Sequence, residues 1–229
     1  MRYHFHLRPG SPTYMHIAEG FLPITHCAFW TACTLPSAWD SIRQLRRPEV
    51  RARRLELAAA GGTLLLLTAL KLPSVAGSSS HPTGITLGTV LFGPRVMPAL
   101  VISVLILQAL LLAHGGITTL GANLFSLGVC GPFTAYLAFR TCRRFGLPAA
   151  ISTGVAASIS SVAVYGAAAL QMALAYSDPQ TGITGALGKF LAVFAWTQIP
   201  IALVEGAMTA AVYRLLEGVA FRAKLEVAR

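Results

Sequence analysis

The sequence predicts an all-α protein that crosses a membrane several times as a single domain. Of its 229 residues, 55% are hydrophobic and only 11% are charged, whereas a soluble domain usually carries about 25% charged residues. Its apolar runs are rich in Leu, Ala, Val and Gly and approach the roughly 20 residues that a spanning helix needs. Lipid is therefore the expected solvent, and no segment is large enough to fold alone as a soluble domain.

The basic residues predict which helix ends face the cytoplasm. The net charge of +10 comes largely from three short clusters between apolar runs, within residues 43–54, 140–144 and 214–229. Lys and Arg concentrate on the cytoplasmic side of membrane proteins, so each cluster is expected inside. Because the charge follows this membrane pattern, no nucleic-acid partner is expected.

The first fourteen residues, Met1–Tyr14, are polar, basic and rich in turn-forming residues. They lack the apolar core of about 7–15 residues that a signal peptide requires. We interpret them as an upstream extension, and residues 15–229 as a single membrane domain.

The first two helices are expected at about Gly20–Arg43 and Leu55–Leu72, joined by the first basic cluster. This order places the segments around His16 and His81 together on the outer face. Thr83–Phe92 follows as a shorter helix that covers about 15 Å, half of the hydrocarbon thickness. Short, broken helices often mark the substrate site of a transporter.

Four longer helices complete the prediction. They are expected at about Val96–Ala113, Ala122–Phe139, Pro148–Tyr176 and Ala186–Tyr213. An outer loop that begins at His114 separates the first two of them, and its glycines allow close approach to a neighbouring backbone. With the short segment included, the chain makes about seven crossings or part-crossings, with its N-terminus outside and its C-terminus inside.

Motifs for hydrolysis or nucleotide binding are missing from the sequence, which has no HExxH, GxSxG, Walker loop or GxGxxG. We therefore expect no enzymatic activity, and the energy for any transport must come from a partner or an ion gradient. The cysteines form no CxxC pair and no zinc-type spacing, which favours a role as small apolar residues. They are Cys27, Cys33, Cys130 and Cys142.

Two histidines at the edges of apolar runs are the candidate metal ligands. If Met15 were the first residue, its free amine, together with the amide nitrogen and the imidazole Nδ1 of His16, could chelate one metal ion. A further nitrogen from His81 would complete a square-planar, all-nitrogen site, which suits Ni(II), Cu(II) and low-spin Co(II). The alternative interpretation is that both histidines are polar residues hydrogen-bonded to backbone at the membrane edge.

Other polar residues are candidates for supporting roles. Glu19 could orient an imidazole or stabilise the start of a helix. Glu205 is an intramembrane carboxylate, a residue type that is usually functional; we expect it to contact another subunit, with a simple interfacial position as the alternative. His114 could line the entrance, although loop histidines often have no specific role. The residues expected to orient the ligands or close over the metal are Glu19, Ser80, Thr118 and Asn123.

Four stretches of the sequence resemble the CbiM/NikM family, the substrate-binding S components of energy-coupling factor (ECF) transporters for cobalt and nickel. They are MHIAEGFLP (Met15–Pro23), LKLPSVAGSSSHPTGITLG (Leu70–Gly88), LFGP (Leu91–Pro94) and LLAHGGITTLGANLFSLGVCGPF (Leu111–Phe133). The resemblance implies a seven-helix S component whose metal is held by Met15, His16 and His81. The family begins at the MHI motif, so the amine of Met15 would be free only if translation starts there or the extension is removed.

The resemblance also implies partners and a cargo. The partners would be a small membrane companion (CbiN-like), a transmembrane coupling subunit (CbiQ-like) and a pair of cytoplasmic ATPases (CbiO-like), assembled in the cell inner membrane. The cargo would be Co2+ for cobalamin synthesis, with Ni2+ as the alternative and no organic cofactor. A stand-alone secondary transporter is a second alternative, for which only Glu205 would serve in ion coupling. A membrane metalloenzyme is a third, and it would lack an acid/base pair.

Overall fold

Helices make up nearly all of the regular structure in the computed structural model, which describes residues 16–70, 72–73 and 79–227. The predicted all-helical fold class is confirmed. In chain order the helices are α1 (Ile24–Leu45), α2 (Pro48–Ala52), α3 (Arg54–Ala69), α4 (Ile85–Phe92), α5 (Met97–Leu111), α6 (Leu120–Leu124), α7 (Gly131–Arg144), α8 (Ala149–Ala175) and α9 (Gly182–Val227).

Three helical segments in the described part of the chain are long and apolar enough to cross a membrane. They are Leu120–Arg144, Ala149–Ala175 and Gly182–Gly218, with mean hydropathies of 1.3, 1.5 and 1.6. The shortest has 25 residues, and at 1.5 Å per residue it is about 37 Å long, which exceeds the roughly 30 Å hydrocarbon core. Helix α5 is apolar but shorter. These segments support the assignment of the chain as a membrane protein.

The helix predicted to end at Leu72 is shorter in the structure. Helix α3 ends at Ala69, and Leu72–Pro73 forms a two-residue strand, β1, which pairs antiparallel with β2 (Ser79–Ser80). A proline disfavours helical backbone at the residue before it, so Pro73 opposes the continuation of the helix to Leu72. The short ladder brings the chain back on itself directly before His81.

A π-helical turn, Phe125–Cys130, interrupts the helix that was predicted to begin at Ala122. This helix begins two residues earlier, at Leu120, and continues as α7 after the turn. Pro132 in the first turn of α7 has no N–H to donate to the carbonyl four residues earlier, and its ring crowds that carbonyl. The wider π-helical turn accommodates the proline without breaking the span.

Helix α9 (Gly182–Val227) extends beyond the predicted range of Ala186–Tyr213 at both ends. Its start is stabilised by Asp178, which accepts hydrogen bonds from the backbone N–H groups of the two residues before the helix, each at 2.9 Å, and pairs with Lys189. The Lys189 ammonium and these N–H groups hold the pKa of the Asp178 carboxyl well below its usual range. Charged residues of high helix propensity continue the helix at its other end.

Helices α8 and α9 pack closely through small residues. A Cβ added to Gly154 of α8 would lie 2.7 Å from the carbonyl oxygen of Gly206 in α9, so only glycine allows this approach. Ser158 adds a hydrogen bond of 2.9 Å to the carbonyl oxygen of Ala202. Close contact between helix backbones through small residues is typical of membrane proteins.

The short helix α4 lies in the middle of the fold. Ile85, its first residue, is fully buried and belongs to the main apolar core, and it packs so tightly against Gly131 of α7 that a Cβ there would clash with it. The other buried members of this core are Leu64, Met97, Val101, Val104, Leu105, Leu124, Leu127 and Val164. The core thereby fixes the position of α4 and of the segment before it.

Candidate metal centre

Three histidines from distant parts of the sequence meet in one buried cluster. His16 lies in the segment before α1, His81 precedes α4, and His114 follows α5. All three are buried, with 4% of His16 and none of the other two exposed. Each offers one ring nitrogen, and these nitrogens lie within 4.8 Å of one another. We define His16, His81 and His114 as the histidine cluster.

The ring nitrogens of the cluster converge on His16. Its Nδ1 lies 2.5 Å from Nε2 of His114 and 3.1 Å from Nε2 of His81. The His81 ring stacks on the His16 ring, whereas the His114 ring meets it edge-on, with an interplanar angle of 88°. With metal–nitrogen bonds of 2.0–2.1 Å, two ligand nitrogens at a right angle lie about 2.9 Å apart. The His16–His81 spacing therefore suits two neighbouring ligands of one ion.

The backbone next to His81 sets which of its nitrogens can bind a metal. Nδ1 of His81 lies 2.9 Å from the carbonyl oxygen of Pro82. A carbonyl only accepts hydrogen bonds, so Nδ1 carries the proton. In the neutral ring Nε2 is then the nitrogen with a free lone pair, and it lies 3.1 Å from Nδ1 of His16. This is the arrangement in which a carbonyl orients a metal-binding histidine.

The segment that carries His16 is held by α6 and by Thr119, the residue before it. Asn123 accepts a hydrogen bond from the N–H of Ile17 at 2.8 Å and donates one to the carbonyl oxygen of Ile17 at 3.0 Å. The hydroxyl of Thr119 donates to the same carbonyl at 2.7 Å. Because both backbone groups of Ile17 are bonded, His16 is fixed at the adjacent position. Asn123 is one of the predicted residues that the structure brings to the site.

Glu19 and Thr118 form a second attachment between the same two segments. The Glu19 carboxylate accepts hydrogen bonds from the hydroxyl and, at 3.1 Å, the N–H of Thr118. The hydroxyl bond holds the pKa of Glu19 below its usual value. A Cβ on Gly116 would lie 2.5 Å from a carboxylate oxygen of Glu19 and 2.7 Å from its backbone, so glycine is required there. Glu19 therefore binds the loop that follows His114.

The His81 segment is attached to α9 on both sides of the histidine. Before it, the hydroxyls of Ser80 and Thr197 lie 2.9 Å apart. After it, Thr83 and Gly84 donate hydrogen bonds to the Glu205 carboxylate. Glu205, which was expected to contact another subunit, is only 2% exposed, and its carboxylate accepts hydrogen bonds at the start of α4 in the same chain. Its contact with another subunit stays a prediction.

Sequence reasoning placed His16 and His81 on one face, but it gave His114 no specific role. The available signal was its position: like the other two histidines, His114 stands where an apolar run meets a loop that was predicted to lie outside. Its backbone N–H donates to the carbonyl of Gln108 at 3.1 Å, which turns the chain at the end of α5 and brings the ring toward His16. Met15, the remaining predicted ligand, lies outside the described residues.

The sequence has clear relatives. A family described as "Cobalt uptake substrate-specific transmembrane region" (CbiM) matches residues 16–223. A protein from Streptomyces coelicolor named "Cobalt transport protein CbiM" is 48% identical over 205 residues, which cover 88% of each chain. A protein of the same name from Anoxybacillus flavithermus is 47% identical over 88% of this chain and 82% of its own.

Solved structures share the fold. A chain described as a transition metal transporter superimposes with a TM-score of 0.76 at 23% identity, covering 89% of this chain and 93% of the other. A truncated transition metal transporter gives a TM-score of 0.75 at 24% identity and covers 89% and 99%. At this level of identity the likeness shows a common fold.

Proposed function

This chain belongs to the CbiM family of cobalt uptake transmembrane proteins, and from that premise we propose that it is the S component of an ECF-type importer. In this role it binds Co2+ at the outer face of the cell membrane and delivers it inward. The family membership and the relatives' names support a cobalt transport component. The capture role and the site are our own inference.

The histidine cluster is the observation that carries the proposal. Three neutral imidazoles offer nitrogen donors, which suit borderline transition ions such as Co2+ and Ni2+. Mg2+ and Ca2+ prefer oxygen ligands, chiefly carboxylates. The cluster is also buried, so an ion that enters it loses most of its water and is held by the protein alone.

We propose that the amine of Met15 and the amide and imidazole of His16 bind the metal together with Nε2 of His81. His114 completes the cluster as a further nitrogen donor beside Nδ1 of His16. This donor set requires Met15 to be the first residue of the mature protein. One observation favours that arrangement: the family match begins at residue 16.

The proposed transport cycle uses the chain for capture and its partners for energy. The membrane domain would make seven crossings or part-crossings, with the N-terminus outside and the C-terminus inside the cell inner membrane. The segments around His81 and Asn123 would close over the ion. A CbiN-like companion, a CbiQ-like coupling subunit and a CbiO-like ATPase pair would then drive release to the cytoplasm, where the cobalt enters cobalamin synthesis.

Cobalt binding and uptake test this proposal. Purified protein with Met15 as its first residue should bind Co2+ tightly, and His81→Ala should abolish retention because it removes the Nε2 donor. His26→Ala, which changes a histidine outside the cluster, is the matched control. Uptake in cells should require the ATPase pair. A His81→Ala variant that retains cobalt as tightly as the unaltered protein would contradict the site.

Two alternatives have distinct outcomes in the same assays. An all-nitrogen site binds Ni2+ more tightly than Co2+ by the usual order of divalent affinities, so the two ions are compared by uptake in cells. A nickel S component would take up nickel in preference when both ions are supplied. A stand-alone secondary transporter would accumulate metal at an undiminished rate in cells that lack the ATPases.

A further inference from the structure

The carboxylate of Glu205 accepts three hydrogen bonds from the two residues before α4, two from backbone N–H groups and one from a hydroxyl. The N–H of Thr83 donates to Oε2 at 2.9 Å, whereas the Thr83 hydroxyl and the N–H of Gly84 donate to Oε1 at 2.5 and 2.8 Å. Both carboxylate oxygens are therefore occupied. All three donors lie within three residues of His81.

This contact places a carboxylate beside the N-terminus of α4, where it binds the two residues that precede the helix. Gly84 precedes the first residue of α4 with a left-handed backbone, φ 68°, and no side chain of the segment caps the helix. The first N–H groups of a helix lack partners within it and favour negative charge. Glu205, from a helix more than one hundred residues later in the chain, provides that charge. A carboxylate buried in a membrane helix is unfavourable without hydrogen-bond donors. The same contact therefore gives the start of α4 a negative charge and gives the carboxylate its donors.

The path from this contact to the metal ligand is short and stiff. Only Pro82 separates Thr83 from His81, and the proline ring fixes one of its two backbone angles. The carbonyl of Pro82 accepts the hydrogen bond from Nδ1 of His81. A displacement of Thr83 would therefore move both His81 and the carbonyl that orients its ring.

Helix α9 holds the His81 segment at two points. Thr197 contacts Ser80 before the histidine, and Glu205 contacts the residues after it. The two α9 residues are eight positions apart, about 12 Å along the helix axis. Attachment at two separated points fixes orientation as well as position.

We propose that Glu205 is a positioning residue that holds His81 in its metal-binding geometry and links the metal site to α9. The inference rests on the proposed function, because it takes the histidine cluster as the cobalt site. By linkage, an ion that orders the His81 segment also favours the α9 position that Glu205 requires, and a shift of α9 lowers affinity for the ion.

Variants at this contact should change metal binding in a graded way. Glu205→Ala should weaken Co2+ binding by roughly 10- to 100-fold, the usual effect of removing a group that orients a metal ligand. Glu205→Gln keeps one acceptor oxygen and should give an intermediate affinity. Thr83→Val removes a single donor and should give the smallest loss. Ser158→Ala removes a hydrogen bond between α8 and α9 that does not involve the His81 segment, so it should bind cobalt normally.

Two further readouts separate positioning from general loss of stability. The d–d absorption bands of bound Co2+ should shift in Glu205→Ala and return toward the original spectrum in Glu205→Gln. In hydrogen exchange of the intact protein, the peptide that contains the Thr83 and Gly84 amides should exchange slowly and become slower with Co2+. In Glu205→Ala it should exchange rapidly with or without the ion.

The outcomes of this experiment are distinct. If His81→Ala loses cobalt while Glu205→Ala and Glu205→Gln keep the original affinity and spectrum, the positioning role is wrong and the site stands. If the unaltered protein binds no Co2+, both proposals fail. If Glu205→Ala does not fold, Glu205→Gln and Thr83→Val decide: unchanged affinity and exchange in both would overturn the inference.

Discussion

Asn123→Ala tests whether α6 holds the His16 segment in its metal-binding position. The substitution removes the two hydrogen bonds that join the Asn123 side chain to Ile17. The Ile17 carbonyl keeps its bond from Thr119, but the buried Ile17 N–H loses its partner. Leaving the buried Ile17 N–H unpaired costs about 1–3 kcal/mol, and the loss of the bond to the Ile17 carbonyl adds about 1 kcal/mol.

The expected loss of binding free energy is therefore about 2–4 kcal/mol, provided that the segment must dock before the metal binds. At about 1.4 kcal/mol per tenfold change, this is a roughly 30- to 700-fold weaker affinity for Co2+, measured by competition titration. Gln171→Ala is the matched control, because Gln171 is a buried amide bonded to Ser126 and to the carbonyl of Ala122. It should lower thermal stability and leave affinity nearly unchanged. An Asn123→Ala affinity within about twofold of the original would refute this role of α6.

Three further predictions concern the same region. His114→Ala should weaken Co2+ binding at least about tenfold, because its Nε2 lies beside Nδ1 of His16; an unchanged affinity and spectrum would remove His114 from the site. Gly116→Ala should weaken Co2+ binding and lower thermal stability, because the new Cβ would lie 2.5 Å from a Glu19 oxygen. A variant that melts at the original temperature and binds with the original affinity would show that the close contact between Gly116 and Glu19 is not needed. Glu19 has a pKa below the ordinary value of 4.5 in the folded protein. Its ionised carboxylate therefore stabilises the fold above that value, and this stabilisation is lost as the pH falls through the folded pKa. Glu19→Gln should therefore melt at a lower temperature than the original at pH 7 and approach it in acid; a difference that persists in acid would contradict the assignment.

The helical fold could be predicted because lipid imposes a simple rule on the sequence. An apolar run must form a helix in a membrane, since every backbone polar group needs an internal partner. The start of α8 at Ala149 accordingly differs from the prediction by one residue. The boundaries were wrong where local chemistry overrode hydropathy, as in the strand at Pro73 and the extended α9. The π-helical turn before Pro132 depends on how one proline fits inside a continuous span, which hydropathy does not measure.

The candidate site could be predicted only in part, because its geometry is tertiary. The alternation of basic clusters placed His16 and His81 on one face without any motif. His114 has no neighbouring residue that distinguishes it from an ordinary loop histidine, and its role depends on the turn at the end of α5. Glu205 was recognised as unusual because it is a carboxylate in an apolar helix. Its partner at Thr83 lies 122 residues away, and sequence spacing does not reveal such a contact.

X-ray absorption spectroscopy of the cobalt-loaded protein with Met15 as its first residue tests the central claim most directly. We predict a shell made of nitrogen donors, with the outer-shell scattering pattern of at least two imidazoles, which weakens in His81→Ala. A shell dominated by oxygen donors without imidazole scattering would show that cobalt does not bind at the histidine cluster.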